Sequence, residues 1–288
     1  MMAKNDWDQV ITCFMQQDKE YLEKFLISNK TFLPNESDLN TFKPLSNSFS
    51  AKQLEKAKPG NWIPIYKLED LNSYLIENNL MPVRCGQAEF FFYRGNIFFD
   101  LSKITFIKIA IKKIQRIEDF FPLTLENFHK NENAYLNKAL SLGIINNFLD
   151  SEILELFKKE IQNKNYRRLL YGQFGKIKTN FELEFKTTKG NKVINKGFQF
   201  EIDLVLENKN EIIIFEAKQG MKRRTSFCLL QLYYPLIYLT KITNSKKKIR
   251  TIFIDIETKY QEQYMLIEYE FKNLNFDDYK TVKAVEYK

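Results

Sequence analysis

Histidine occurs once in this 288-residue chain, tryptophan twice and cysteine three times, and glycine (9) and proline (7) are scarce. The lone histidine, His129, and the dispersed Cys13, Cys85 and Cys228 form no set at zinc-ligand spacing. An odd number of separated cysteines also excludes a disulfide framework and fits a reducing compartment, so the expected location is cytoplasmic. The opening MMAKNDWDQV carries acids where a secretory signal needs an apolar centre. The longest apolar stretch, SFCLLQLYYPLIYLT, is too short to span a bilayer and is interrupted by Gln231 and Pro235, so no membrane partner is expected. No repeat of fixed period is present, which excludes a solenoid.

What the chain does contain is ordinary for a folded protein: 44% hydrophobic and 28% charged residues, with Phe (26) and Tyr (15) abundant. There is enough material for one large domain or two modest ones. Lys and Arg (44) exceed Asp and Glu (36), a net charge of +8. Such a surface suits a polyanion, because neutralising phosphates releases counterions.

Periodicity predicts a helix over 5–30, a loop through TFLPNESDLNTFKPLSNSFS and a short helix over 68–79. AEFFFYRGNIFFDL reads as a hairpin turning at Arg94-Gly95-Asn96, with its aromatics in the core. KITFIKIAIKKIQRI fits strand and helix equally. AYLNKALSLGIINNFL and SEILELFKKEIQ are helical patterns, the first weakened by Gly143. From about residue 181 the texture changes: FELEFKTT, GFQFEIDLVLE and EIIIFEAK are successive strands. A helix over 225–241 follows, then the strands IRTIFIDIE and QYMLIEYEF. The fold class is therefore α/β with a mixed sheet. The division falls near residue 140, with an α+β region over 1–140 and an α/β domain over 141–288.

The run EIDLVLENKNEIIIFEAKQG carries charges where a buried hairpin should have none. Glu-x-Lys is no signal by itself, since the chain has six such triplets. Context separates Glu216 and Lys218. Side chains alternate along a strand, so Ile212, Ile214, Glu216 and Lys218 share one face and Ile213, Phe215 and Ala217 take the other. Both faces are apolar until Glu216, as expected of a central strand whose charges emerge at its end. A turn centred on Asn208-Lys209 pairs positions summing to 417, which places Asp203 opposite Ile214 and diagonal to Glu216. Two converging carboxylates repel, and a divalent cation relieves that. An all-oxygen set selects Mg²⁺ or Mn²⁺. A Glu216–Lys218 ion pair with Asp203 at a solvated edge is the competing reading.

Asp203, thirteen residues before Glu216-Ala217-Lys218 in a hairpin followed by a helix, resembles the signature of the PD-(D/E)XK nucleases. The resemblance covers residues 151–258, and Ile202 stands where that family has proline. It implies a restriction-endonuclease-like αβββαβ core. It also implies Asp203, Glu216 and the Ala217 carbonyl as Mg²⁺ ligands, with Mn²⁺ able to substitute, and Lys218 positioning the attacking water. Gln231 resembles the polar helix residue near the family's site, while its spacing with Tyr234 and Tyr238 fits packing equally. The family's acid on the preceding helix has three candidates here, Glu152, Glu155 and Glu160.

Lys222-Arg223-Arg224, just past the site, is a candidate phosphate clamp in double-stranded DNA; a solvated helix start is the alternative. Lys108, Lys112, Lys113 and Arg116 are a weaker candidate ridge. No Walker-type run is present, and the extra N-terminal region is what a sequence-reading nuclease needs, since the catalytic core touches mainly backbone. The expected role is a type II restriction endonuclease paired with a DNA methyltransferase. A homodimer suits palindromic sites and a monomer asymmetric ones. The alternatives are a structure- or repair-directed nuclease and a non-catalytic DNA-binding module.

Overall fold

The computed structural model describes residues 68, 71, 76, 77, 79–86, 90–109, 131–149, 167–169, 176–207, 210–222, 224–259 and 262–288. Strands β1 (Leu80–Arg84), β2 (Phe90–Arg94), β3 (Phe98–Asp100) and β4 (Ile107–Ile109) come first. Helices α1 (Glu132–Ser141) and α2 (Ile144–Phe148) follow. Next come β5 (Arg167–Leu169), β6 (Ile177–Lys178), β7 (Leu183–Thr187), β8 (Gly190–Ile194) and β9 (Gln199–Phe200). The remainder is β10 (Leu204–Glu207), β11 (Glu211–Gly220), β12 (Ser226–Cys228), α3 (Leu230–Ile242), β13 (Lys248–Glu257), β14 (Gln263–Phe271) and β15 (Tyr279–Tyr287).

A seven-stranded mixed sheet in the order β4-β15-β14-β13-β11-β10-β5 forms the centre, so the fold is α/β as expected. β11 pairs with β13, and β15 with β4, in parallel; the other neighbours are antiparallel. The parallel β11–β13 pair needs a crossover, and α3 supplies it. Two cores cover the two faces. Ile212 and Ile214 of β11 join the core that contains α3, while Ile213, Phe215 and Ala217 join the core containing α1 and α2. The alternation expected for β11 is therefore present, and each face buries its apolar set.

Several expected elements differ. Phe90–Arg94 and Phe98–Asp100 do not pair with each other: β2 pairs with β1, and β3 with β12. The Asn96 side chain accepts the N–H of Phe98 at 2.8 Å, which turns the chain away from β2 instead of closing a hairpin. Tyr93, Ile97, Phe98 and Phe99 nonetheless serve the core, as predicted for these aromatics. Gly143 divides the pattern over 134–149, adopting φ +72° after α1 so that α2 leaves in a new direction. β7 and β8 form their own two-stranded sheet outside the central one. The strand read over 197–207 is broken into β9 and β10, with 201–203 irregular between them. Helix α3 begins at Leu230, not 225, because 226–228 extends to pair with β3. β15 was not anticipated.

The hairpin register also shifts: Leu204 faces Phe215 and Val205 faces Ile214, a sum of 419. A two-residue slip preserves side-chain parity, so the face assignment survives while Asp203 moves level with Glu216. α1 straddles position 140, and β4, from the N-terminal side, forms an edge of the central sheet. The helices read over 5–30 and 151–162 lie outside the described residues, as does most of 68–79.

Candidate active site

The C-terminal end of β11 carries the site. Its face toward α3 runs from Ile212 and Ile214 to Glu216 and Lys218 before the strand leaves the core. Glu216 and Asp203 are buried, at 4% and 8% exposure. Asp203 ends the irregular 201–203 segment, and its Oδ2 accepts the backbone N–H of Ala217 at 2.7 Å. That bond satisfies a strand N–H opposite the point where β10 begins, and it fixes the carboxyl against the strand that bears Glu216.

Glu216 Oε1 has two donors. Lys218 Nζ lies at 2.6 Å and the Gln231 side-chain amide donates at 2.7 Å. Gln231 therefore meets the site, whereas Tyr234 gives its hydroxyl to the Arg84 carbonyl and Tyr238 stacks on Phe181. One helical side serves both purposes. Pro235, four residues on, has no N–H for the Gln231 carbonyl, so α3 lacks one helical bond beside the site.

A residue absent from the sequence reading completes the arrangement. Glu132, in the first turn of α1, approaches Lys218 Nζ at 3.6 Å through Oε2 and accepts the Gln219 N–H at 3.4 Å through Oε1. Glu132 is thus a helix acid that contacts this cluster; the candidates Glu152, Glu155 and Glu160 lie outside the described residues. An acid following the Asn131 N-cap resembles ordinary helix capping, so its sequence signal carried no pointer to a site.

The electrostatics follow from three carboxylates around one ammonium. Burial pushes the Glu216 carboxyl up to about 8; Lys218 opposes this, and the charges of Asp203 and Glu132 add to it. Asp203 is also raised, chiefly by burial, with Lys218 and the Ala217 N–H pulling it back. The charge of Asp203 adds to the upward push on Glu216, so the two carboxyls disfavour being ionised together. Burial alone would lower Lys218, but Glu216, Asp203 and Glu132 outweigh it and keep the ammonium charged.

This donor set fits a hard divalent cation. Two buried carboxyls that resist joint ionisation mark a position where positive charge is favoured, and every candidate ligand atom is oxygen. The set is two side chains and a backbone carbonyl: among the described residues no three His, Cys, Asp or Glu side chains are placed to hold one metal ion together. Thiolate chemistry has no support here, since Cys85 and Cys228 are buried and burial pushes the Cys228 thiol up to about 12.

The basic run beyond the strand divides. Lys222 is exposed, Arg223 lies outside the described residues, and Arg224 is tied to Asp255. Its N–H donates to Asp255 Oδ2 at 3.1 Å and its Nε lies 3.7 Å from Oδ1. Asp255 is level with Lys218 on the parallel neighbour β13, so a buried carboxylate anchors the loop after β11. With α3 starting at Leu230, this run is not a helix start. Lys108 is exposed near Glu286, and Lys112, Lys113 and Arg116 lie outside the described residues.

One family model matches residues 93–288, described as a domain of unknown function (DUF6997). The chain belongs to the DUF6997 family. The matched span holds every site residue above, from Glu132 to Gln231, so the carboxylate cluster lies inside the DUF6997 domain. No curated protein and no solved structure matches the chain. Among the described residues of this DUF6997 protein, no helix is long and apolar enough to cross a membrane.

Proposed function

We propose that this DUF6997 protein is a Mg²⁺-dependent endodeoxyribonuclease of the PD-(D/E)XK type, acting as a type II restriction endonuclease on double-stranded DNA. The observation that carries the reading is the meeting of Asp203, Glu216 and Lys218 at one end of β11, with Glu132 and Gln231 closing around them. With α2, β6–β9 and β12 standing between its members, the order α1, β5, β10, β11, α3, β13, with β5-β10-β11-β13 adjacent in the sheet, is consistent with the αβββαβ core of those nucleases.

Asp203, Glu216 and the Ala217 carbonyl would hold Mg²⁺, or Mn²⁺ in its place. The ion supplies charge stabilisation for the phosphate and the leaving oxygen. Lys218, held charged by its three carboxylate neighbours, orients a water for in-line attack on phosphorus and balances charge on the phosphate. Gln231 fixes the Glu216 carboxylate by its 2.7 Å bond, and Glu132 fixes the ammonium of Lys218. Water adds its oxygen to phosphorus, the bond to the leaving oxygen breaks, and the strand is cut.

Residues 1–140, apart from β4 and the start of α1, would supply sequence reading, a methyltransferase would protect host DNA, and a homodimer would suit a palindromic site. The test is incubation of purified protein with unmodified plasmid and Mg²⁺. Discrete fragments support the reading, and cleavage confined to branched or damaged substrates assigns the site to repair instead. A methyltransferase gene beside this one would support the restriction role.

A further inference from the structure

Half of the chain's net charge lies in a short segment unconnected with the basic run after β11. Residues 176–200 contain six lysines against two glutamates, a net +4 out of +8 in less than a tenth of the length. These residues form β6 to β9, two small antiparallel pairs that cover α3. Phe198 packs on Tyr234 at 4.6 Å and Phe200 on Tyr238 at 5.3 Å, so the inner side of the layer is aromatic. Its outer side is basic. Lys176, Lys178 and Lys196 are exposed, and no carboxylate among the described residues pairs with them. In contrast, Lys186 lies 3.5 Å from Glu184.

Two of these lysines, Lys178 and Lys196, meet at one turn. β6 and β9 are joined level at Lys178 and Gln199, and the turn 195–198 reverses through Gly197 at φ +91°. Lys178 Cε lies 3.5 Å from where a Cβ on Gly197 would stand, so its side chain crosses the turn beside Lys196. The Arg84 guanidinium sits 5.7 Å over the Phe198 ring at the same turn.

We propose that this turn, with Lys178 and Lys196, and with Lys176 two residues along the chain on the side of Lys178, is a contact for the phosphate backbone of duplex DNA flanking the cleavage site. The inference rests on the nuclease reading for its partner and adds where that partner lies. Asp203 is six steps along the chain from Gly197, which bounds the distance at about 20 Å. At 3.4 Å per base pair that is within about six base pairs of the cut. Helix α3 gives the same answer, since Tyr234 under Phe198 is one turn from Gln231. Backbone contacts of this kind fix register and carry salt dependence without reading sequence.

The test is fluorescence anisotropy with a labelled duplex of arbitrary sequence, in EDTA, across a salt series. The triple variant Lys176→Gln, Lys178→Gln, Lys196→Gln is expected to bind on the order of tenfold or more weakly at 0.1 M salt. Its log K against log salt slope should fall by about 2 to 3. Lys246→Gln, at the opposite end of β13 from the site, should change neither. A triple variant with wild-type affinity and slope overturns the proposal, as does a wild-type protein that binds no duplex at low salt. Cleavage by the wild type with unchanged binding by the variant leaves the nuclease reading standing without this surface. Lysine-dependent binding without any cleavage leaves the surface standing and removes the nuclease.

Discussion

Asp203 takes the backbone N–H of Ala217 at 2.7 Å, and through that bond the residue before β10 is held against the strand that presents Glu216 and Lys218. Structure and chemistry are separable here. Asp203→Asn keeps an acceptor and loses the charge; it should melt close to wild type and lose Mg²⁺-dependent cleavage by at least about a hundredfold. Asp203→Ala strands a buried N–H as well, at a cost of about 1–3 kcal/mol in chemical denaturation.

Glu216 makes the metal-free protein sensitive to pH. Its ordinary value is 4.5, and burial lifts it to about 8 in the folded state. Below the lower value both states hold the proton. As pH rises toward 8 the folded state retains a proton that the unfolded state has released, so stability falls through this window. Asp203 shifts in the same direction, and Lys218 stays charged throughout. Urea midpoints in EDTA should drop from pH 5 to pH 8, Mg²⁺ should restore them most at the high end, and Glu216→Gln should flatten the profile.

Gln231 orients a carboxylate without carrying charge. Gln231→Leu should weaken Mg²⁺ affinity or turnover by roughly 10- to 100-fold. Calorimetric Mg²⁺ titration of the folded variant distinguishes this from a packing defect, which would leave ion affinity unchanged.

Glu132 steadies Lys218 from the opposite helix. Glu132→Gln should lower Mg²⁺-dependent cleavage roughly tenfold or more while circular dichroism stays native. Unchanged turnover would reduce Glu132 to a capping residue of α1.

Far from the site, Arg250 binds both oxygens of Glu268 at 2.7 Å, with Glu211 at 3.9 Å, all three buried. Arg250→Leu leaves carboxylates without that partner and should cost about 3–5 kcal/mol in urea denaturation. Removing charge at both Arg250 and Glu268 should cost less.

The legible part of this molecule was what period and parity encode. The apolar run 212–215 identified a strand buried on both faces, and counting by two put Asp203, Glu216 and Lys218 on one side, an assignment that survived because the register slipped by two residues and not by one. The register itself was lost because an Asn- and Lys-rich turn accepts several lengths. Partners distant in sequence were lost for a related reason: Phe98–Asp100 finds Ser226–Cys228, and β4 finds β15, through packing that no local pattern announces. Gln231 was visible as a polar residue on an apolar helix, yet its spacing with two tyrosines fitted packing equally until its bond to Glu216 was seen. Glu132 was hidden by its resemblance to a capping acid.

The central claim is that Asp203, Glu216 and Lys218 form one hydrolytic site, and plasmid cleavage tests it most directly. Wild type, Asp203→Asn and Lys218→Ala should be incubated with unmodified supercoiled plasmid in Mg²⁺ and in EDTA. The account predicts cutting by the wild type in Mg²⁺ alone and none by either variant. Full Mg²⁺-dependent activity in both variants would contradict it.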